Sequence, residues 1–378
     1  MVTSFNKTHP NIHVVATYEG SYAGGGAEQE KLLAAIQAHN VPDIAQIEVH
    51  SVPVFASVGA LMPLTSFVNK SPTDQPQSFV PGMTVSTQYQ GTTYAIPFNR
   101  SVELIYYNKA MFAAAHLTNP PNTWQQLVQD AKVLTHGTGT TKVFGFSPVA
   151  DWWPWESAVW SGGGHILSPN LNQAEFDKPA ALSVLSMEKA LQQNGYGLVE
   201  SGPEKFSLTT ESFITQRVAM DEDSSANIAY VGNQVGTKFP WGTVMMPKDV
   251  TRAVPPGGAD IAIMEGIPKA TAQAAWKFIE WWTSTPQTIR WSEATGYLPL
   301  KKAALTDPAY QTFVQQHPQE QAALEEIRYQ HQPPASPHYL GVLGYVEIQL
   351  SAIFSNNVPV STAMHQAAQQ ANTILQAQ

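Results

Sequence analysis

The chain has 378 residues, enough for two or three domains, and 43% of them are hydrophobic and available to fill a core. Charged residues make up only 13%, about half the ~25% usual for soluble domains, and the net charge is −9. This balance excludes a nucleic-acid binder, which needs a basic footprint to displace counterions; the 28 Pro, 25 Gly and 10 Trp exclude a coiled coil or a disordered chain, and the absence of cysteine excludes disulfides, thiolate metal sites and cysteine nucleophiles.

No apolar run approaches the ~18 residues of a membrane span, and residues 1–10 lack the apolar core of a signal peptide. Residues 2–6 read as the end of a helix, with Lys7 and His9 near its C-terminus and Pro10 stopping it. Residues 12–17 alternate apolar and polar and predict a strand. A chain that opens on half a helix predicts that a first strand and most of a first helix lie upstream, with any leader or lipid-anchoring cysteine. Residues 28–38 predict a helix with Leu32, Leu33 and Ile36 as its apolar stripe. Pro42 and Asp43 lead into a strand over 44–49, and 54–61 predicts another helix, stopped by Pro63. This alternation implies a βαβ sheet with mainly parallel strands.

Residues 94–101 and 103–109 read as a strand running into a polar patch and out again. Asn99, Arg100 and Ser101 could donate to a ligand oxygen or form a solvated hinge turn. Thr123 and Gln126 form a capping box ahead of a helix. Ala272, Ala275, Trp276, Ile279 and Trp282 keep helical spacing; Thr285 is the expected N-cap of the next helix, with Pro286 in its first turn. The period returns over 360–375 through Val360, Met364, Ala367, Ala371 and Ile374. Residues 24–26 and 162–164 are glycine loops, and neither fits a G-x-G-x-x-G or P-loop pattern.

Enzyme templates find little. There is no G-x-S-x-G elbow and no H-E-x-x-H, and Pro10 breaks the helix that would align His9 with His13. Asp221-Glu222-Asp223 begins like a calcium loop but lacks its sixth-position glycine and closing glutamate, so it reads as a solvated acidic turn. A carboxylate pair for glycoside cleavage stays open, because such pairs need not be close in sequence. Asp151-Trp152-Trp153-Pro154-Trp155 with Trp160 is the densest aromatic cluster. Indoles stack on sugar or polyol faces and accept cations, although core packing has equal weight for any one of them. Together, beside a proline and a glycine loop, they favour one or two in a cleft. Gly257-Gly258-Ala259 either brings backbone N–H groups to an anion or makes a tight turn.

Over nearly its whole length the chain resembles the extracellular solute-binding proteins of ABC importers. The likeness rests on Phe5-Asn6-Lys7, Pro42-Asp43-Ile44, Pro97-Phe98-Asn99, Tyr107-Asn108-Lys109, Pro121-Asn122-Thr123-Trp124 and Thr295-Gly296-Tyr297-Leu298-Pro299-Leu300, in the family's order. Within the family it is most similar to the branch that binds glycerol-3-phosphate and glycerophosphodiesters. Residues 18–22, ending in Tyr22, resemble that branch's Tyr-Lys-Gly-Asn-Tyr, and residues 97–101 its Pro-Phe-Asn-Ser-Ser. Trp152 and Trp155 keep the spacing of its paired tryptophans, and Ser224-Ser225-Ala226-Asn227-Ile228 resembles its Ser-Leu-Ala-Asn-Ile. Met245-Met246-Pro247, Gly257-Gly258-Ala259 and Tyr297 also match. The chain departs at Glu48, where the branch's ligand carboxylate is displaced or replaced, and at Tyr339, which stands where the branch has arginine.

The resemblance implies an α/β, two-lobed periplasmic-binding-protein-like fold of type II with a ligand cleft between the lobes. Residues 1–104 and 256–299 would form the N-terminal lobe, and 105–255 and 300–378 the C-terminal lobe. It implies a substrate-binding component that closes on a glycerophosphodiester such as glycerophosphocholine, or on sn-glycerol-3-phosphate, and presents it to an ABC permease. Ser101, Ser225 and the Gly258 backbone would bind phosphoryl oxygens, with Ser224 as the alternative to Ser225. Trp152 and Trp155 would form aromatic walls, Tyr22 and Glu48 would hold hydroxyls, and Tyr297 would close the pocket. Losing a permanent cation at Tyr339 favours a neutral or zwitterionic phosphodiester, whose choline head stacks on an indole or tyrosine face. No catalytic residue, metal, cofactor or nucleic acid is expected. The protein should be a monomer at the extracellular face of the membrane or in the periplasm. The alternatives are an oligosaccharide- or polyol-binding protein and a glycoside hydrolase.

Overall fold

The computed structural model describes residues 1–20 and 26–377. They form two compact units: Met1–Arg100 with Pro256–Phe313 and Ala335–Leu340, and Ser101–Pro255 with Val314–Pro334 and Gly341–Gln378. Residues 300–313 and 335–340 thus pack with the first unit rather than with the lobe expected for 300–378. Lys301 shows one reason: its ammonium is buried and donates to Asp74 at 2.6 Å, the Thr73 carbonyl at 2.7 Å and Ser78 at 3.1 Å.

Eight strands are assigned among the described residues: β1 (Ile44–Glu48), β2 (Gln88–Tyr89), β3 (Thr92–Thr93), β4 (Ala95–Ser101), β5 (Glu103–Asn108), β6 (Met220–Ser224), β7 (Trp241–Met245) and β8 (Gly257–Ile263). In the first unit the main sheet has the order β1-β8-β4. β1 runs antiparallel to β8, from Ile44 opposite Ile263 to Glu48 opposite Ala259. This corrects the expectation of a mainly parallel sheet, because β8 enters the unit at the end where β1 leaves it. Alternation along β1 sends Ala45 and Ile47 into a core with Phe55, Leu61, Ala262 and Met264. The predicted 54–61 helix is shorter and earlier, Val52–Ser57, while the helix Ala27–Gln37 fits the predicted 28–38 closely.

Residues 12–17 do not form a strand. The Asn6 amide takes both backbone groups of Val14, donating to its carbonyl and accepting from its N–H at 2.9 Å each. With those groups satisfied locally no ladder forms, and Val15 is 74% exposed. The helix before this segment, Val2–Thr8, anchors by Phe5, whose ring meets Phe278 at 5.0 Å and Trp281 at 5.5 Å. The Lys269–Trp282 helix buries the predicted stripe of Ala272, Ala275, Trp276, Ile279 and Trp282. The next helix, Thr285–Thr295, has Ser284 rather than Thr285 at its N-cap position, without a side-chain capping hydrogen bond, and ends on Gly296, whose φ of 86° suits a residue without a Cβ.

In the second unit β5 is central, antiparallel to β6 and β7. Parallel bridges widen the layer: Phe144 with Val218, Ser147 with Asp221, Phe146 with Gly197 and Val149 with Glu200. Parallel pairing therefore occurs here, as isolated bridges. The capping box of Thr123 and Gln126 opens the Trp124–Leu134 helix, and the C-terminal helix is Val360–Leu375. Asp221, Glu222 and Asp223 are not a solvated turn: they lie on β6, each at most 2% exposed. Among the described residues no helix is long and apolar enough to cross a membrane.

Candidate functional site

In the first unit, the C-terminal ends of β1 and β4 and the N-terminal end of β8 bring several candidates to one edge. The Val49 N–H donates to the Gly258 carbonyl at 3.4 Å, and Asn99 accepts from the Ala259 N–H at 2.9 Å. Gly258 has φ near +100°, and a Cβ there would stand 2.3 Å from the Asn99 carbonyl oxygen. Only glycine fits this crossing. Gly258→Ala is expected to destabilise the chain by about 1–3 kcal/mol in urea unfolding. Gly344→Ala, at a helical glycine with nothing within 4 Å of an added Cβ, is the control and should be neutral or slightly stabilising.

Glu48 is buried, and both its oxygens face the residue two positions on. Oε2 accepts from the His50 N–H at 2.7 Å and Oε1 from His50 Nδ1 at 2.6 Å. The Tyr339 ring, fully buried, stacks on the His50 ring at 5.9 Å and 27°. The structure therefore joins Glu48 to Tyr339 through His50, which was not among the predicted site residues. Its sequence signal was its place two residues beyond Glu48, the spacing that returns a side chain to the same face of an extended chain. Tyr297 is half-buried and its ring lies over Trp291 at 6.2 Å and 13°. The Leu298 N–H donates to the Arg100 carbonyl at 2.7 Å, which ties this loop to the same edge.

Arg100 is not a ligand donor. Its guanidinium is 1% exposed, paired with Asp260, and donates to the carbonyls of Ala259, Asn99 and Met83 and to the Ser86 hydroxyl. Burial pushes the Asp260 carboxyl above its ordinary range, and Arg100 pulls it back. Tyr22 lies outside the described residues.

In the second unit Ser101 and Ser225 are brought together around Val102. Both serines are buried. The Val102 N–H donates to the Ser225 hydroxyl at 3.2 Å, and the Ser225 N–H to the Val102 carbonyl at 2.8 Å. The Ser225 hydroxyl keeps its own proton to donate elsewhere. Ser224 caps the short helical turn Ser225–Asn227 by accepting from the Ala226 N–H at 3.2 Å, and its carbonyl accepts the Tyr106 hydroxyl proton at 2.6 Å.

Trp152 and Trp155 lie on the Trp152–Ser161 helix, opened by Asp151, whose carboxylate accepts from the Trp153 N–H at 2.9 Å. The Trp152 N–H donates to Glu347 at 3.3 Å, and Lys205 pairs with both Glu347 and Asp151. Burial pulls the Lys205 ammonium down, but the two carboxylates outweigh it and leave it above its ordinary value. Trp152, Trp153, Trp155 and Trp160 are 6%, 9%, 2% and 5% exposed. Trp155 meets Phe176 edge-on at 5.2 Å, and Trp160 stacks on His331 at 4.5 Å. All four are buried residues of one helix, and periodicity alone does not separate a core tryptophan from one that lines a cleft.

The family model described as bacterial extracellular solute-binding protein matches residues 1–319. The chain belongs to this family. The sn-glycerol-3-phosphate-binding periplasmic protein UgpB of Escherichia coli strain K12 is 28% identical over 341 residues, covering 85% of this chain and 75% of that one. UgpB of Escherichia coli O1:K1 is 29% identical over 332 residues, covering 83% and 73%. Among solved structures, UgpB from Mycobacterium tuberculosis in complex with glycerophosphocholine superposes with a TM-score of 0.88 at 22% identity, over 99% of this chain and 93% of that one. The GacH receptor of Streptomyces glaucescens, solved unliganded and with acarbose, gives 0.85 at 20% identity, over 99% and 93%. The fold is thus the two-lobed α/β fold of extracellular solute-binding proteins, and the family's business is holding a small molecule.

Proposed function

We propose that the chain is the substrate-binding component of an ABC importer and captures a glycerophosphodiester such as glycerophosphocholine, or sn-glycerol-3-phosphate. The observation that carries this reading is the 28% identity to a glycerol-3-phosphate-binding protein across 85% of the chain. The chemistry of the candidate groups agrees. Ser101, Ser225 and the Gly258 backbone are neutral donors suited to phosphoryl oxygens, and neutral donors bind an oxyanion without requiring a buried cation. Ser224 serves beside Ser225, Glu48 and Tyr22 take hydroxyls, Tyr297 covers the ligand, and Trp152 and Trp155 supply aromatic surface. Tyr339, in place of an arginine, favours the phosphodiester over the more highly charged monoester.

The protein works as a carrier without chemistry on its ligand, delivering it to a membrane permease from the periplasm or the outer face of the membrane. The oligosaccharide reading would use the same tryptophan cluster, and the ligand series below separates the two.

A thermal-shift series with glycerophosphocholine, glycerol-3-phosphate and maltose tests the proposal. A ligand at 1,000 times its Kd stabilises the folded state by about 4 kcal/mol. Glycerophosphocholine should raise the melting temperature and maltose should not. A shift with maltose alone would sink the phosphodiester reading, and turnover of a chromogenic glycoside, lost on mutating one carboxylate, would overturn the carrier reading.

A further inference from the structure

The arginine on the neighbouring strand end, Arg100, is buried against Asp260. The basic group that the structure does bring to Tyr339 and Glu48 is His50. We propose that the Glu48–His50 pair, stacked under Tyr339, is a proton-dependent specificity element that couples capture of a phosphoryl-bearing ligand to uptake of a proton. The inference rests on the ligand reading above and adds to it a residue and a linkage.

The chemistry follows from the contacts. A carboxylate only accepts hydrogen bonds, so the 2.6 Å contact places a proton on His50 Nδ1. The backbone N–H of His50 occupies the other Glu48 oxygen at 2.7 Å, which fixes the carboxylate against the ring. With imidazole neutral the pair carries one negative charge; with imidazolium it carries none. A ligand phosphoryl group is repelled by the first state and tolerated by the second, so the anion and the proton favour each other's binding. The side chain of His50 is fully buried and that of Glu48 is 9% exposed, so solvent screens this difference little.

Among the described residues, charged or titratable groups near the pair include Tyr339, on the first turn of the Tyr339–Asn356 helix, Asp260 on β8 and Arg100 on β4. Asp260 feels the Glu48 charge directly and is paired with Arg100. Tyrosine stays neutral until well above physiological pH. The group whose ordinary titration falls near neutrality is therefore the imidazole.

Calorimetric titration of the intact chain with glycerophosphocholine, whose own charge is constant near neutrality, tests this. Affinity should be roughly tenfold higher near pH 6 than near pH 8, as expected if binding favours the protonated imidazole by about one pKa unit. Heats measured at neutral pH in two buffers of different ionisation enthalpy should report net proton uptake. His50→Gln keeps a hydrogen-bond donor toward Glu48 but takes up no proton, and should remove both effects. Equal wild-type affinity at the two pH values, no net proton uptake, or a pH dependence that survives in His50→Gln would each overturn the inference and leave the ligand reading standing. If glycerophosphocholine binds at neither pH, the ligand reading fails instead. The imidazole NMR signal missing from His50→Gln then decides: titration near neutrality supports the proton-binding pair, and a signal that does not move overturns it. Should that variant fail to fold, the two-buffer experiment on the wild type still decides.

Discussion

Replacing Arg100 by methionine is expected to cost about 3–5 kcal/mol of stability, because it leaves a carboxylate buried without its partner. Asp260 has no exposed surface, and its carboxylate pairs with the Arg100 guanidinium. Arg100 also satisfies the carbonyls of Met83 and Ala259 and the Ser86 hydroxyl, so one substitution strands several buried acceptors. The double variant Arg100→Met with Asp260→Leu should recover part of the loss, since it removes the unpaired charge as well. Urea midpoints of the wild type, both single variants and the double variant measure this. A loss below about 1 kcal/mol, typical of a surface ion pair, would contradict the assignment of Arg100 to the core rather than to the ligand.

The second large effect is a loss of stability on raising the pH. Strand β6 carries Asp221, Glu222 and Asp223 through the interior, and alternation divides them between the two faces of the second unit's sheet. Glu222 shares a face with Glu103, which also feels Glu188 and Glu326; Asp221 and Asp223 face Tyr106 and Glu320 on the other. Burial pushes Glu222, Glu320 and Glu326 up to about 8, Asp223 up to about 6, and Glu103, Glu188 and Asp221 well above their ordinary values. The unfolded chain releases the glutamate protons near 4.5, whereas the folded chain holds those of Glu222, Glu320 and Glu326 to about 8. Between those values the folded state binds more protons, so stability falls as pH rises. The urea midpoint should therefore drop steadily between about pH 5 and pH 8. Glu222→Gln and Glu326→Gln, which keep acceptors for the N–H groups of Val149 and Met246, should each flatten the slope by about one proton. A midpoint that climbs across this range would contradict the buried, protonated cluster.

The same two features mark where the sequence could and could not be read. Helices that bury one stripe announce themselves through spacing, as Ala272 to Trp282 and Val360 to Leu375 do. The Thr123 cap was legible because both its hydrogen bonds are local. Strand pairing is not local: β1 meets β8 more than two hundred residues away, and nothing within β1 sets the direction of its partner. Residues 12–17 alternate like a strand, yet Asn6 had already taken the backbone of Val14. Carboxylates at 221–223 read as solvated because burial of a charged type is exceptional, and the exception depends on neighbours far along the chain. At the candidate site, the family resemblance pointed to Glu48 and Tyr339, but His50 joins them only in three dimensions.

Calorimetric titration of the intact chain with glycerophosphocholine near pH 6 tests whether this solute-binding protein holds a glycerophosphodiester. Saturable binding of one ligand per chain is expected, tighter than for glycerol-3-phosphate and absent for maltose. Saturable binding of maltose with no heat from glycerophosphocholine would contradict it.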